Sequence, residues 1–158
     1  MIRRSIIKYR RKRHDVQVAA IFMETSCGMI VINLGNILIL EYPQGHWDFP
    51  KGHIEDDDES RISAARRELE EETGINDIVL INGFEERTEY QFRHKGKKIE
   101  KQVYWYIGET EIMKIQLSHE HRDHLWLDWE QAMEMLTHVE SRGVLSAAQE
   151  HMKQIGRY

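Results

Sequence analysis

A chain of 158 residues, 41% hydrophobic and 31% charged, is long enough to bury a real core as one domain and too rich in apolar side chains to stay disordered. Its apolar runs are short and broken by Asn or Gly, which excludes a membrane-spanning helix, and the basic N-terminus lacks an apolar stretch of signal-peptide length behind it, which argues against export. One cysteine, Cys27, excludes an intrachain disulfide and fits a reducing cytoplasm.

The net charge of −5 is unevenly spread, with seven of the 22 Lys and Arg inside residues 1–13, which hold no acid. Residues 1–25 are expected as a basic N-terminal extension and residues 26–158 as the domain. The stretch "RRSIIKYRRKR" reads as a solvated terminal arm, or as an electrostatic tether for nucleic acid. "VQVAAIF" fits a strand. "CGMIVIN" and "ILILEY" predict two strands joined at Leu34-Gly35-Asn36, a hairpin signal. "HWDF" predicts a short extended piece ending at Pro50, followed by a polar loop over 52–59. A helix is expected over 60–73, with Gly74 where a left-handed cap belongs. "DIVLING" predicts a strand, and "RTEYQFRH" and "IEKQVYWYIGE" a hairpin turning at Gly96. "LWLDW" is a short strand or its lead-in, and "DWEQAMEML" and "SRGVLSAAQEHMKQI" have helical spacing. This order predicts an α/β (α+β) sandwich, with helices packed on a central mixed sheet.

The segment from Gly52 to Ile75 holds nine carboxylates and three arginines. At about 100° per residue, Ile62, Ala65 and Leu69 share a narrow arc that reads as the core face. Glu68, Glu71 and Glu72 share a neighbouring arc by the i, i+3, i+4 rule, while Glu70 points elsewhere. Left unpaired, such a cluster costs roughly 0.2–0.5 kcal/mol per like-charge pair. A solvated face partly paired by Arg66 and Arg67 would account for the charge alone. A hard divalent cation with oxygen ligands would turn the repulsion into attraction.

The spacing points further. "RELEEETGI", preceded by a glycine loop and a glutamate, resembles the Nudix box G-x5-E-x7-R-E-U-x-E-E-x-G-U, where U is bulky and apolar. Gly52 opens it, Glu59 is the first glutamate, and the run from Arg67 to Ile75 closes it. The chain departs from the pattern once: six residues, not five, separate Gly52 from Glu59. Either Glu59 or Asp58 is then left to take the first-glutamate position. The resemblance implies a Nudix-type α-β-α sandwich and metal-dependent hydrolysis of a nucleoside diphosphate linked to another moiety. It also implies Mg²⁺ (or Mn²⁺) held by Glu71 and Glu72. Glu68 is implied as a further ligand or as the base on the attacking water, Arg67 as the group orienting Glu71 or Glu59, and the Gly52 carbonyl as another ligand. The chemistry suits these residue types, because metal ions neutralise a polyphosphate that otherwise repels hydroxide, and a carboxylate takes the proton of bound water.

The flanks "GHWDFPKGHIE", "INGFEERTEYQF", "KQVYWYIGE" and "LSHEH" resemble the asymmetrical diadenosine tetraphosphate hydrolase subgroup, which splits diadenosine tetraphosphate to ATP and AMP. RNA pyrophosphohydrolases of the family tend to carry P-Q-G-G where this chain has Pro50-Lys51-Gly52-His53. The alternative is a Nudix pyrophosphohydrolase acting on 5′-triphosphate RNA or oxidised nucleoside triphosphates. Under the subgroup resemblance, Lys51, His46, His53 and Lys101 are candidate phosphate contacts. Tyr90 aligns with a tyrosine that stacks on adenine, and Tyr104 and Trp105 divide between core and pocket. Glu120 matches a metal-holding glutamate outside the box. A rival reading groups His119, His121 and His124 around zinc. The expected partner is a small nucleotide, with no membrane; nucleic acid enters only through the basic arm, and the sequence assigns no oligomeric state.

Overall fold

The computed structural model describes the backbone of residues 5–12 and 15–158, and side chains from residue 22 onward. The proposed nucleic-acid tether rests on side chains that lie outside the described residues. In chain order the elements are β1 (Ser5–Lys12), β2 (Asp15–Asn33), β3 (Asn36–Glu41), β4 (Trp47–Asp48), β5 (Lys51–His53), α1 (Arg61–Thr73), β6 (Val79–Leu80), β7 (Glu86–His94), β8 (Lys97–Glu109), β9 (Asp123–Leu127), α2 (Trp129–Met135) and α3 (Val139–Gln154). Nine strands among the described residues make one mixed sheet. β2 and β8 run parallel, from Phe22 beside Ile99 to Ile32 beside Glu109. The other pairings are antiparallel.

The apolar runs in β2 and β3 are continuous because both faces of the sheet are covered. Cys27, Met29, Val31, Leu38 and Leu40 pack under α1 with Ala64, Ala65 and Leu69. The alternate residues Ile30, Ile32, Ile37 and Ile39 pack on the other face against Val144, Leu145 and Ala148 of α3. The period-two alternation of each strand thus feeds two cores, one per face, and the result is the expected helix–sheet–helix sandwich. No helix among the described residues is long and apolar enough to cross a membrane.

Three features differ from the sequence reading. β2 runs unbroken through residues 25 and 26, where the sequence predicts a boundary. Residues 51–53, read in part as loop, form β5, paired to β2 with Ser26 opposite His53 and Gly28 opposite Lys51. A strand this short has no period to read; its backbone is drawn in by a partner more than twenty residues earlier. Gly28 allows the approach, since a Cβ there would meet Trp105, the Lys51 Cβ and the Pro50 carbonyl. "DIVLING" contributes only β6, Val79–Leu80, to the sheet.

Candidate active site

α1 is fixed at both ends. Ser60 and Ser63 cap each other reciprocally, with Ser63 N donating to Ser60 Oγ at 3.1 Å and Ser60 N to Ser63 Oγ at 2.8 Å. Gly74, at φ 76°, closes the other end, its N–H donating to the Glu70 carbonyl. Leu69 and Ala65 then face the sheet, and Glu68, Glu71 and Glu72 emerge toward β5. The three carboxylates are not equivalent. Glu71 is exposed, Glu68 is partly buried, and Glu72 is only 6% exposed.

Glu72 Oε2 accepts from Lys51 N at 3.2 Å. Burial, reinforced by the neighbouring Glu68 carboxylate, pushes its pKa up to about 9. Burial raises Glu68 as well. The Glu68 carboxylate lies on the backbone of Gly52, where a Cβ would collide with it. Gly52→Ala is therefore expected to leave the melting temperature almost unchanged, because the colliding group is the flexible end of a side chain. The same substitution displaces that carboxylate and should lower kcat/KM about 10²-fold. A thermal melt beside an initial-rate assay reads both, and an unchanged rate would show that the seat over Gly52 is dispensable.

Arg67 gathers the loop and the helix. Its Nε and Nη2 each donate to an oxygen of Asp58 at 2.9 Å, and Nη2 also reaches the His53 carbonyl at 2.9 Å. Nη1 donates to Glu68 Oε1 at 3.0 Å and to Glu71 Oε2 at 3.2 Å. Of the two acids left open by the spacing, Asp58 is the one brought to Arg67, while Glu59 faces solvent. The extra residue is absorbed by a turn in which Asp58 N donates to the Glu55 carbonyl at 3.1 Å and Glu55 N to Asp58 Oδ2 at 2.8 Å. The guanidinium holds the Asp58 carboxyl below its ordinary range.

The loop after β8 is pinned to the end of α1, with Gln116 N donating to the Thr73 carbonyl and Ser118 N to the Glu72 carbonyl, each at 3.0 Å. This brings Glu120 to the cleft. His121 is buried, its Nε2 3.8 Å from Glu72 Oε2. His119 is exposed, and His124 lies in β9 opposite Leu40. No set of three His, Cys, Asp or Glu side chains among the described residues is closed into a metal-binding group, whether from the histidines or from the glutamates.

The carboxylates line a cleft of about 680 Å³ with Lys51, His53 and Lys101. β5 divides it. Gly52 faces Glu68 on the α1 side, and by strand alternation Lys51 and His53 point the other way. Lys51 Nζ is held by Asp48 Oδ2 at 2.5 Å and sits 4.7 Å from the centre of the Tyr42 ring. Asp48 is itself buried, and its Oδ1 accepts from Ser141 Oγ and Phe49 N at 2.8 Å each. Lys51 also borders a second cavity of about 190 Å³, walled by His46, Tyr90, Trp105 and His138. His46 stacks on Tyr42, ring centroids 4.8 Å apart, and lines the second cavity. Tyr90 is 37% exposed. Trp105 faces this cavity, and Tyr104 lies under the Arg61 guanidinium, 3.7 Å away.

The sequence reading missed Asp48 and Tyr42. Each acts through Lys51, and the one available signal was an acid at i−3 from a lysine, common on any surface.

A family model described as NUDIX domain matches residues 17–148. The chain belongs to the NUDIX family and is a phosphoanhydride hydrolase. It is 32% identical over 135 residues to the asymmetrical bis(5′-nucleosyl)-tetraphosphatase of Mus musculus, covering 76% of this chain and 89% of that one. The structure of a Caenorhabditis elegans Ap4A hydrolase binary complex superimposes with a TM-score of 0.69 at 25% identity, covering 83% of this chain and 98% of that one. An RNA pyrophosphohydrolase of a Nitratiruptor species is 45% identical over 65 residues, 41% of this chain and 39% of that one. Hydrolases of the family generally work with a divalent metal.

Proposed function

We propose that this hydrolase cleaves dinucleoside polyphosphates, with diadenosine tetraphosphate split to ATP and AMP, using Mg²⁺ or Mn²⁺. The observation that carries this reading is the pair of adjoining cavities. A carboxylate-lined cleft suited to a phosphate chain shares Lys51 with a smaller aromatic-walled cavity suited to a nucleoside. The relatives from Mus musculus and C. elegans support the same substrate class.

The donor chemistry, carboxylates and a backbone carbonyl, suits a hard divalent cation, although among the described residues no three carboxylates are gathered around one point. Glu72 is a buried carboxylate whose charged form is disfavoured beside Glu68, so a positive charge is what its surroundings lack. Glu68, Glu71, Glu72, Glu120 and the Gly52 carbonyl would hold the ion. Bound there, it supplies charge neutralisation of the phosphate oxygens and a lowered pKa for water. The chain's own residues do the rest. Arg67 keeps Glu68 and Glu71 turned to the cleft. Glu68, partly buried with its pKa raised, is suited to take the proton of the attacking water. Lys51 and Lys101 oppose the negative charge of the chain. One bridging P–O bond breaks, the water oxygen goes to one fragment, and the other leaves as a phosphate anion.

The test is incubation with magnesium and diadenosine tetraphosphate, with anion-exchange separation of products. Equal amounts of ATP and AMP are expected. A second reading, 5′-triphosphate RNA, draws on the local identity to the Nitratiruptor relative. Loss of the RNA triphosphate without ATP and AMP formation would put it first. Tyr90→Ala should raise KM for the dinucleotide about ten- to a hundredfold by removing a stacking face, with kcat little changed. Tyr90→Phe should keep the wild-type KM; an unaffected Tyr90→Ala would remove the base from this cavity.

A further inference from the structure

Two side chains on the face of the sheet away from the glutamates, His53 and Lys101, converge on a third, Glu24, that does not itself line the cleft. Glu24, on β2, is 8% exposed. In register it stands opposite Lys101 of β8, and two residues further along β2 Ser26 stands opposite His53 of β5. Strand alternation places Glu24 and Ser26 on one face. Lys101 Nζ donates to Glu24 Oε1 at 3.0 Å, and His53 Nε2 binds the same oxygen. These two bonds hold the Glu24 carboxyl down at about 2, so it is an acceptor only and His53 Nε2 is the donor. The other nitrogen of His53, Nδ1, is left for a ligand, and it can donate to a phosphate oxygen when the ring is the imidazolium, the form that pairs with the Glu24 carboxylate. Ser26 Oγ, fully buried on the wall of the same cleft, makes no hydrogen bond within the protein.

We propose that Glu24 is a positioning residue for the reaction, fixing His53 and Lys101 as a two-pronged clamp which, with Ser26 Oγ, grips the phosphate chain on the side of β5 opposite the glutamates. A lysine stem has four rotatable bonds and an imidazole two, so without an anchor each would sample many rotamers before meeting a phosphate. A buried carboxylate behind both removes that search and directs their polar atoms into the cleft. Lys101 also supplies the cation that lets Glu24 remain ionised out of water.

The inference rests on the proposed polyphosphate chemistry but not on which nucleotide is cleaved, and the experiment separates the two. Glu24→Gln and Glu24→Ala are compared with wild type on whichever nucleotide the wild type turns over fastest, at saturating magnesium. Two competitors are used: inorganic tripolyphosphate, which probes the clamp alone, and adenosine, which probes the aromatic cavity alone. Glu24→Ala is expected to raise KM and the tripolyphosphate inhibition constant together by about tenfold, with kcat within about threefold and the adenosine constant unmoved. Glu24→Gln, which keeps an acceptor oxygen but not its charge, should fall between, with a cooperative melt that shows it folded. Equal tripolyphosphate constants in all three proteins would overturn the clamp, as would wild type insensitive to tripolyphosphate or a parallel shift in the adenosine constant. Turnover of a different nucleotide with the clamp pattern intact would instead correct the substrate and leave Glu24 in its role.

Discussion

Glu72→Gln should lower turnover about 10³-fold, roughly 4 kcal/mol of transition-state stabilisation, while making the metal-free protein more stable at alkaline pH. Both effects come from one feature: a carboxylate 6% exposed, beside a second carboxylate. Its pKa in the folded chain is about 9, against an ordinary value of 4.5. The stability it contributes is therefore complete below about pH 4.5, falls as pH rises, and is lost once pH passes about 9. Glutamine does not titrate, so the variant's melting temperature in EDTA should change less between pH 5 and 9 than the wild type's. At pH 8 it should lie above it. Adding magnesium should raise the wild-type melting temperature, because a ligand bound to the folded state alone stabilises it. In the variant that rise should shrink or vanish. Equal magnesium shifts in the two proteins would remove Glu72 from the metal site, and parallel pH profiles in EDTA would show that burial does not raise its carboxyl.

The second large effect is expected at Arg67 and separates two adjacent acids. Its guanidinium spans Asp58, Glu68, Glu71 and the His53 carbonyl, and the Asp58 side chain is only 6% exposed. Arg67→Ala leaves Asp58 and Glu68 without their cation and should cost about 2–4 kcal/mol of stability, together with most activity. Arg67→Lys should recover little, since an ammonium cannot bridge both Asp58 oxygens as the planar fork does. Asp58→Asn should lower kcat about 10²-fold by loosening the turn that seats Gly52 and Glu68. Glu59→Gln should stay within about twofold of wild type, as expected for a solvent-facing charge. Steady-state rates and urea midpoints for the four variants decide it. If Glu59→Gln were the damaging change and Asp58→Asn the silent one, the pairing of Asp58 with Arg67 would have no part in catalysis.

This pair also marks where the sequence stops being readable. Glu68, Glu71 and Glu72 can be set on one side of a helix because a helix has a fixed period, and its caps, Ser60 and Gly74, are local in sequence. The loop before it has no period, so counting cannot decide between Asp58 and Glu59. Burial is only half legible: the helical wheel puts Glu72 beside the apolar stripe, whereas packing against β5 puts it inside. Strands β2, β3 and β8 are legible from their apolar runs, but β5 is not, since its three residues acquire their conformation from β2. Glu24 is invisible for the same reason. Its partners lie 29 and 77 residues away, and a lone acid in "FMETSC" has no signature until register brings them together.

The reciprocal serine cap and the left-handed glycine of α1 have a consequence for how this chain tolerates length changes. They clamp the rotational phase of thirteen residues between two fixed stops. One residue added inside would swing every following side chain by about 100° and carry the acidic trio off its target. One residue added just upstream, beside the solvent-facing Glu59 between Asp58 and Ser60, only lengthens a surface turn. Insertional scanning should therefore find a sharp border at Ser60, permissive on one flank and lethal to turnover on the other.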